Sequence, residues 1–201
     1  TGGFSTRDTS VGAFSGTVQM VLLVFMFLAA TNFSLHYLSF NKRKFEYFKD
    51  REFKVYLILI AIFTVLFFIN TSSIYHYSLE SLRHALFTSV SLLTTTGFGT
   101  IDFETWPSLS KMLVFFLLFI GGCAGSTTGG MKIIRSILIT KYLVSEVRKL
   151  LHPKGVFPIK IGKKLIPDEV VKNTLGFYLF YIFIFVMTSV IYSITGLDVE
   201  T

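Results

Sequence analysis

The residues best suited to chemistry are the hydroxyl and glycine positions of "LLTTTGFGTID" (residues 92–102), a polar strip set between stretches fit for lipid. The chain opens on a related strip, "TGGFSTRD" (residues 1–8). Thr1, Gly3, Phe4, Thr6 and Asp8 recur 94 residues later as Thr95, Gly97, Phe98, Thr100 and Asp102. A single Thr and Gly run between helices is usually a plain turn. Two copies, each next to an apolar span and each followed by Asp, read instead as one device used twice at the same depth. The chemistry that suits it is ion coordination. A monovalent cation that leaves water must replace its hydration shell, and backbone carbonyls do so without trapping the ion. Glycine lets successive carbonyls point to one side, and threonine adds a hydroxyl acceptor. Asp8 and Asp102, just outside, would concentrate cations.

The elements that must position these strips are membrane helices. Hydrophobic residues make up 52% of the 201, 23 residues are Phe, and mean hydropathy is +0.63, which excludes an ordinary soluble domain. Residues 18–40 carry no charge over 23 positions, long enough to cross about 30 Å of hydrocarbon as one helix. Residues 55–77 read as the returning span. Residues 78–93 bear Glu80, Arg83 and His84 early, turn apolar later and are too short to span, so they read as a re-entrant pore helix ending at the second strip. The negative end of its macrodipole would face a cation there. A last apolar helix, residues 175–194, follows a region in which Asp168 is placed to cap it. The chain starts without Met or a basic leader and reads as part of a longer protein.

Charge placement sets orientation and excludes nucleic acid as a partner. Of the 19 Lys and Arg, six lie in residues 41–54 and eight in residues 141–172, short basic loops between apolar spans. By the positive-inside pattern both loops are cytoplasmic. Residues 41–54 also hold three acidic residues and read as a solvated loop. Cys123 reads as a small buried residue, and the spacing of His36, His76, His84 and His152 fits no metal site.

"GGCAGSTTGGMKIIR" (residues 121–135) should break a helix, since Gly121, Gly122, Gly125, Gly129 and Gly130 fall within ten residues and each interior Gly costs about 1 kcal/mol relative to Ala. Ser126, Thr127 and Thr128 can satisfy the exposed backbone. Gly125 and Gly130 have the offset of a phosphate-binding loop, but Met131 stands where its Lys is required, and no Ser or Thr follows. Close packing through small residues remains as a reading. Lys132 and Arg135 just beyond it are membrane anchors or face an inner vestibule.

"TTTGFGT" (residues 94–100) resembles the potassium-channel filter pattern, and "GGCAGSTTGGMKIIR" with "HPKGVFPIKIG" (residues 152–162) is similar to the TrkH family of the Trk, Ktr and HKT superfamily. The resemblance covers the whole chain. It implies an all-α membrane protein of repeated helix, pore-loop, helix units, pseudo-fourfold in the complete chain. Residues 1–54 then form a filter and inner helix with a cytoplasmic loop, residues 55–152 a complete unit with a broken inner helix, and residues 153–201 a linker and the first helix of the next unit. The implied filter carbonyls for K+ are those of Thr1, Gly2, Gly3, Phe4, Thr95, Thr96, Gly97 and Phe98. Ser5 in place of a second filter glycine suits the family's single-glycine filter and implies weaker potassium selectivity. The resemblance makes residues 121–130 the gate beneath the filter. It implies potassium transport through a bacterial inner membrane, no enzymatic reaction, no organic cofactor, a homodimer in contact with lipid, and a cytoplasmic nucleotide-binding regulator (TrkA-like) docking at residues 141–172. A coupled secondary transporter with broken helices and, less favoured, a membrane enzyme are the alternatives.

Overall fold

The computed structural model describes residues 2–42, 46–75, 78–162 and 164–194; Thr1 and His76 lie outside the described residues. It is a helical protein whose contacts divide it into two units, Thr1–Ile134 and Arg135–Thr201.

In the first unit the apolar stretch 18–40 is not one straight span. It forms α1 (Gly16–Ala29) and α2 (Phe33–Lys42), bent by 92° at the break between them. The expectation of a continuous helix fails at Asn32. Its Oδ1 accepts the Ser34 N–H at 2.8 Å and its carbonyl accepts Leu35 N–H at 2.9 Å, so Asn32 starts a new helix rather than continuing the old one. α3 (Arg51–Tyr75) is a long apolar helix, of which Arg51–Thr71 is apolar enough to cross a membrane. α4 (Leu79–Leu93) follows, started by a capping box in which Ser78 and Ser81 each accept the other's backbone N–H at 3.1 Å. Its extent matches the short pore helix read from residues 78–93.

α3 packs against α4; Phe67 of α3 and Phe87 and Leu93 of α4 are fully buried, and Phe67 meets Trp106 with ring centroids 5.2 Å apart. Between apolar helices surrounded by lipid, packing and interhelical hydrogen bonds replace the usual hydrophobic drive. Asn70 Nδ2 donates to Ser110 Oγ at 2.7 Å and so ties α3 to α5 (Ser108–Leu118), a bond worth about 0.6–2 kcal/mol. The chain then leaves helical geometry until α6 (Ile133–Leu151), which is the break expected from the glycines. An isolated parallel bridge between Ile120 and Met131 pinches the excursion closed.

In the second unit the stretch after α6, read as part of a basic loop and linker, contains a short hairpin. β1 (Lys160–Ile161) pairs antiparallel with β2 (Lys164–Leu165), with Gly162 at φ 64° in the turn. α7 (Asp168–Ile194) starts at Asp168 itself, so Asp168 stands in the first turn and is not the cap. Pro167, whose fixed φ suits a helix start, supplies the carbonyl that accepts Val170 N–H at 3.1 Å. Most of the apolar side chains of α7 are exposed, as fits a helix facing lipid or further chain segments.

Candidate ion filter and the loop beside it

The two strips lie side by side. Gly3 N–H donates to the Thr96 carbonyl at 2.8 Å, and Val11 and Gly12 N–H both donate to the Gly99 carbonyl, at 3.0 and 3.1 Å. Gly2, Gly3 and Gly97 have φ of 73°, 75° and 80°, and Thr95 has φ 53°. Glycine is required at the contact itself. A Cβ on Gly97 would lie 2.9 Å from Gly3 N and 3.0 Å from Gly3 Cα, in a region of φ that L side chains rarely adopt. The second strip hangs from the C-terminal end of α4, where Ser91 holds it twice: its carbonyl accepts Thr96 N–H at 2.9 Å and its hydroxyl donates to the Phe98 carbonyl at 2.7 Å.

Thr96 and Phe98 carbonyls therefore already accept one protein donor each, and a carbonyl has a second lone pair. Among the described residues no hydrogen bond is made to the carbonyls of Thr95 and Gly97. Asp8 and Asp102 are exposed beyond the strips.

In the first half of α4, His84 Nδ1 lies 2.9 Å from Thr100 Oγ1 and ties the second strip's C-terminal end to that helix. Burial, and then the neighbouring Arg83, hold the His84 imidazole below the ordinary histidine range. The unfolded chain then takes up the proton first, so this contribution to stability is present above the ordinary histidine pKa and is lost as pH falls through it toward the folded value. Acidification from about pH 8 to about pH 5 is expected to lower Tm more in the wild type than in His84→Asn, followed by thermal denaturation of the full-length protein in detergent. Equal shifts would contradict the assignment.

Residues 121–130 sit directly beside the second strip. Gly129 N–H donates to Thr95 Oγ1 at 2.7 Å, so the loop touches the candidate filter. Within the loop Gly122 N–H donates to Thr128 Oγ1 at 3.0 Å and Ser126 Oγ to the Cys123 carbonyl at 2.5 Å. Lys132 does not extend away from the loop; its Nζ turns back to the Thr128 carbonyl and, at 2.8 Å, to Thr128 Oγ1. Gly121, Gly122 and Cys123 are buried, whereas Gly125, Thr127 and Gly129 are exposed. Arg135 belongs to the second unit, where its guanidinium lies 3.8 Å over the Phe177 ring.

The other side of the loop rests on the bend between α1 and α2. Phe33 N–H turns to the Gly125 carbonyl at 3.1 Å instead of closing a helical bond to Ala29, and the Ala29 carbonyl accepts Thr127 N–H at 3.3 Å. Ala30 likewise loses Ser34 to the Asn32 side chain, and its carbonyl accepts Cys123 N–H at 2.9 Å. Glu52, read as part of a solvated loop, is instead only 7% exposed. Its Oε1 accepts Ala124 N–H at 2.8 Å and Ile134 N–H at 2.9 Å.

The sequence matches TrkH, described as a cation transport protein, over residues 1–199. The chain belongs to the TrkH family. It is 39% identical over 203 residues to the Trk system potassium uptake protein TrkH of Halomonas elongata, covering 100% of this chain and 42% of that protein. It is 31% identical over 186 residues to the Trk system potassium uptake protein TrkG of Escherichia coli K12, covering 90% and 38%. The crystal structure of the potassium transporter TrkH from Vibrio parahaemolyticus superposes with a TM-score of 0.90 at 37% identity, covering 98% of this chain and 43% of that one. The chain thus spans about two fifths of the length of these relatives.

Asn32 and Glu52 lie outside the motifs read from the sequence, and neither was singled out there. Asn32 carried a local signal, being an amide with Thr31 and Ser34 around it inside an apolar run. Glu52 carried none, because its partners are backbone groups 72 and 82 residues away.

Proposed function

We propose that the full-length protein carries potassium across a bacterial inner membrane, with K+ as cargo rather than a resident cofactor, and that it catalyses no reaction. The relatives are named potassium uptake proteins. The observation that carries the reading is the backbone-to-backbone meeting of the strips at Gly3 and Gly97, close to the C-terminal end of α4. Carbonyls of Thr1 to Phe4 and Thr95 to Phe98 provide two of the walls of an ion site, and further segments of the longer protein provide the rest. Residues 121–130 act as the gate; the hydrogen bond from Gly129 N–H to Thr95 Oγ1, which ties this loop to the second strip, supports that reading. Lys132 tightens that loop.

The basic loops 41–54 and 141–172 face the cytoplasm, and the second receives a nucleotide-binding regulator of the TrkA kind. The protein works as a homodimer in lipid and binds no nucleic acid. The domain boundaries follow the helix, pore-loop, helix plan at residues 54 and 152. The two interrupted helices, at residues 30–32 and 119–132, equally suit a coupled transporter. Rubidium uptake into proteoliposomes of the full-length protein separates the two readings. Uptake that follows the Rb+ gradient alone supports the channel, dependence on a second ion gradient supports coupling, and no Rb+ uptake refutes both.

A further inference from the structure

A buried carboxylate holds the glycine-rich loop through hydrogen bonds separate from the loop's contact with the second strip. Glu52 stands in the first turn of α3, and one of its oxygens accepts N–H groups from both ends of the 124–134 excursion. Ile134 lies in the first turn of α6, where backbone N–H groups have no helical partner and an acceptor is favoured. Ala124 lies just inside the loop. At the bend the loop is held by backbone groups of residues 29, 30 and 33, and Thr127 Oγ1 adds a bond to the Ala29 carbonyl at 3.2 Å. Backbone bonds also close the base of the excursion, with Gly121 N–H donating to the Met131 carbonyl at 2.7 Å and Ile133 N–H to the Gly122 carbonyl at 3.1 Å, and Glu52 is the one side chain that joins Ala124 to Ile134 across it.

We propose that Glu52 is the positioning residue that latches the 121–130 loop against the filter, so that loss of its two hydrogen bonds frees the permeation path while the strips stay as they are. The proposal rests on the gate reading given above. A carboxylate suits the role because it is acceptor-only when ionised and offers several lone pairs to two donors.

The test uses the full-length protein in proteoliposomes, with Rb+ uptake and the accessibility of Cys123 as readouts. Cys123 is fully buried beside Ala124 and reports whether the loop has moved. Glu52→Ala is expected to raise Rb+ uptake by at least about tenfold, the shift that about 1.4 kcal/mol of differential stabilisation produces, with an unchanged Rb+ to Na+ ratio. Labelling of Cys123 by a water-soluble methanethiosulfonate, taken as the difference from Cys123→Ser, is expected to rise in parallel. Glu52→Gln keeps an acceptor in place and is expected to stay within about threefold of wild type. A carboxylate that merely caps α6 would lower thermal stability and leave both readouts unchanged; that result in Glu52→Ala, or reduced uptake by folded protein, overturns the proposal. Should Glu52→Ala not fold, Glu52→Asp, too short to reach both N–H groups, is expected to raise uptake, and wild-type uptake there overturns it equally. A chain lacking Ser126, Thr127 and Thr128 separates the two levels: no rise in its uptake refutes the gate reading, whereas a rise there with wild-type uptake in Glu52→Ala refutes only the latch.

Discussion

Replacing Gly97 by alanine in the full-length protein is expected to lower Rb+ uptake by about tenfold to a hundredfold. The backbone at Gly97 has φ 80°, where an added Cβ costs roughly 1–2 kcal/mol, and that Cβ would also press on Gly3 N at 2.9 Å. The strips must separate or the residue must flip, and either displaces the carbonyls that would hold the ion; about 1.4 kcal/mol of misplacement is already a factor of ten. Gly99→Ala is the control. A Cβ there meets only the Ile101 carbonyl at 3.6 Å, and Gly99 does not have positive φ, so uptake is expected to stay near wild type. Rubidium uptake and a Rb+ to Na+ ratio measured on both variants decide the matter: equal losses would mean that Gly97 has no special place in the filter. The contrast also gives a physical reason for Ser5 at the equivalent place in the first strip, since that position does not require glycine.

The second large effect is expected from the loop. Removing Ser126, Thr127 and Thr128 deletes the Thr127 bonds to Ala29, the Thr128 acceptor of Gly122 N–H, and the groups to which Lys132 turns back. These are several hydrogen bonds, each worth about 0.5–1.5 kcal/mol net. The arrangement under Thr95 is then expected to give way, and Rb+ uptake to rise by at least about tenfold without loss of selectivity. Single-vesicle or bulk uptake in proteoliposomes reads this directly. Reduced uptake by properly folded protein would mean that the loop supports the pore instead of closing it.

Much of the architecture was legible in the sequence because it is written in local residue types. The pore helix has its short apolar run, the break in the inner helix has five glycines, and the repeated strip has matching Thr, Gly and Phe positions. Two features were less legible. Thr31, Asn32 and Ser34 mark a polar break within residues 18–40, but the 92° bend there also needs a loop more than 90 residues away that takes over the freed carbonyls. Glu52 lies among six basic residues, and composition there points to water. Its burial comes from two N–H groups that the fold brings to it, and backbone donors leave no trace in a sequence. The distant partners also explain why the site could be named as segments but not as contacts: Gly3 with Thr96 and Thr95 with Gly129 are pairings of tertiary structure.

The central claim is that the two strips share one dehydrated cation through main-chain oxygens. Crystals of the full-length protein grown in Rb+ test it most directly by anomalous difference density. The account predicts a peak within coordination distance of carbonyl oxygens from both residues 1–4 and residues 95–98, replaced by no anomalous signal when Rb+ is exchanged for Na+. Density elsewhere along the pore with none between these strips, in crystals that retain Rb+, would contradict it.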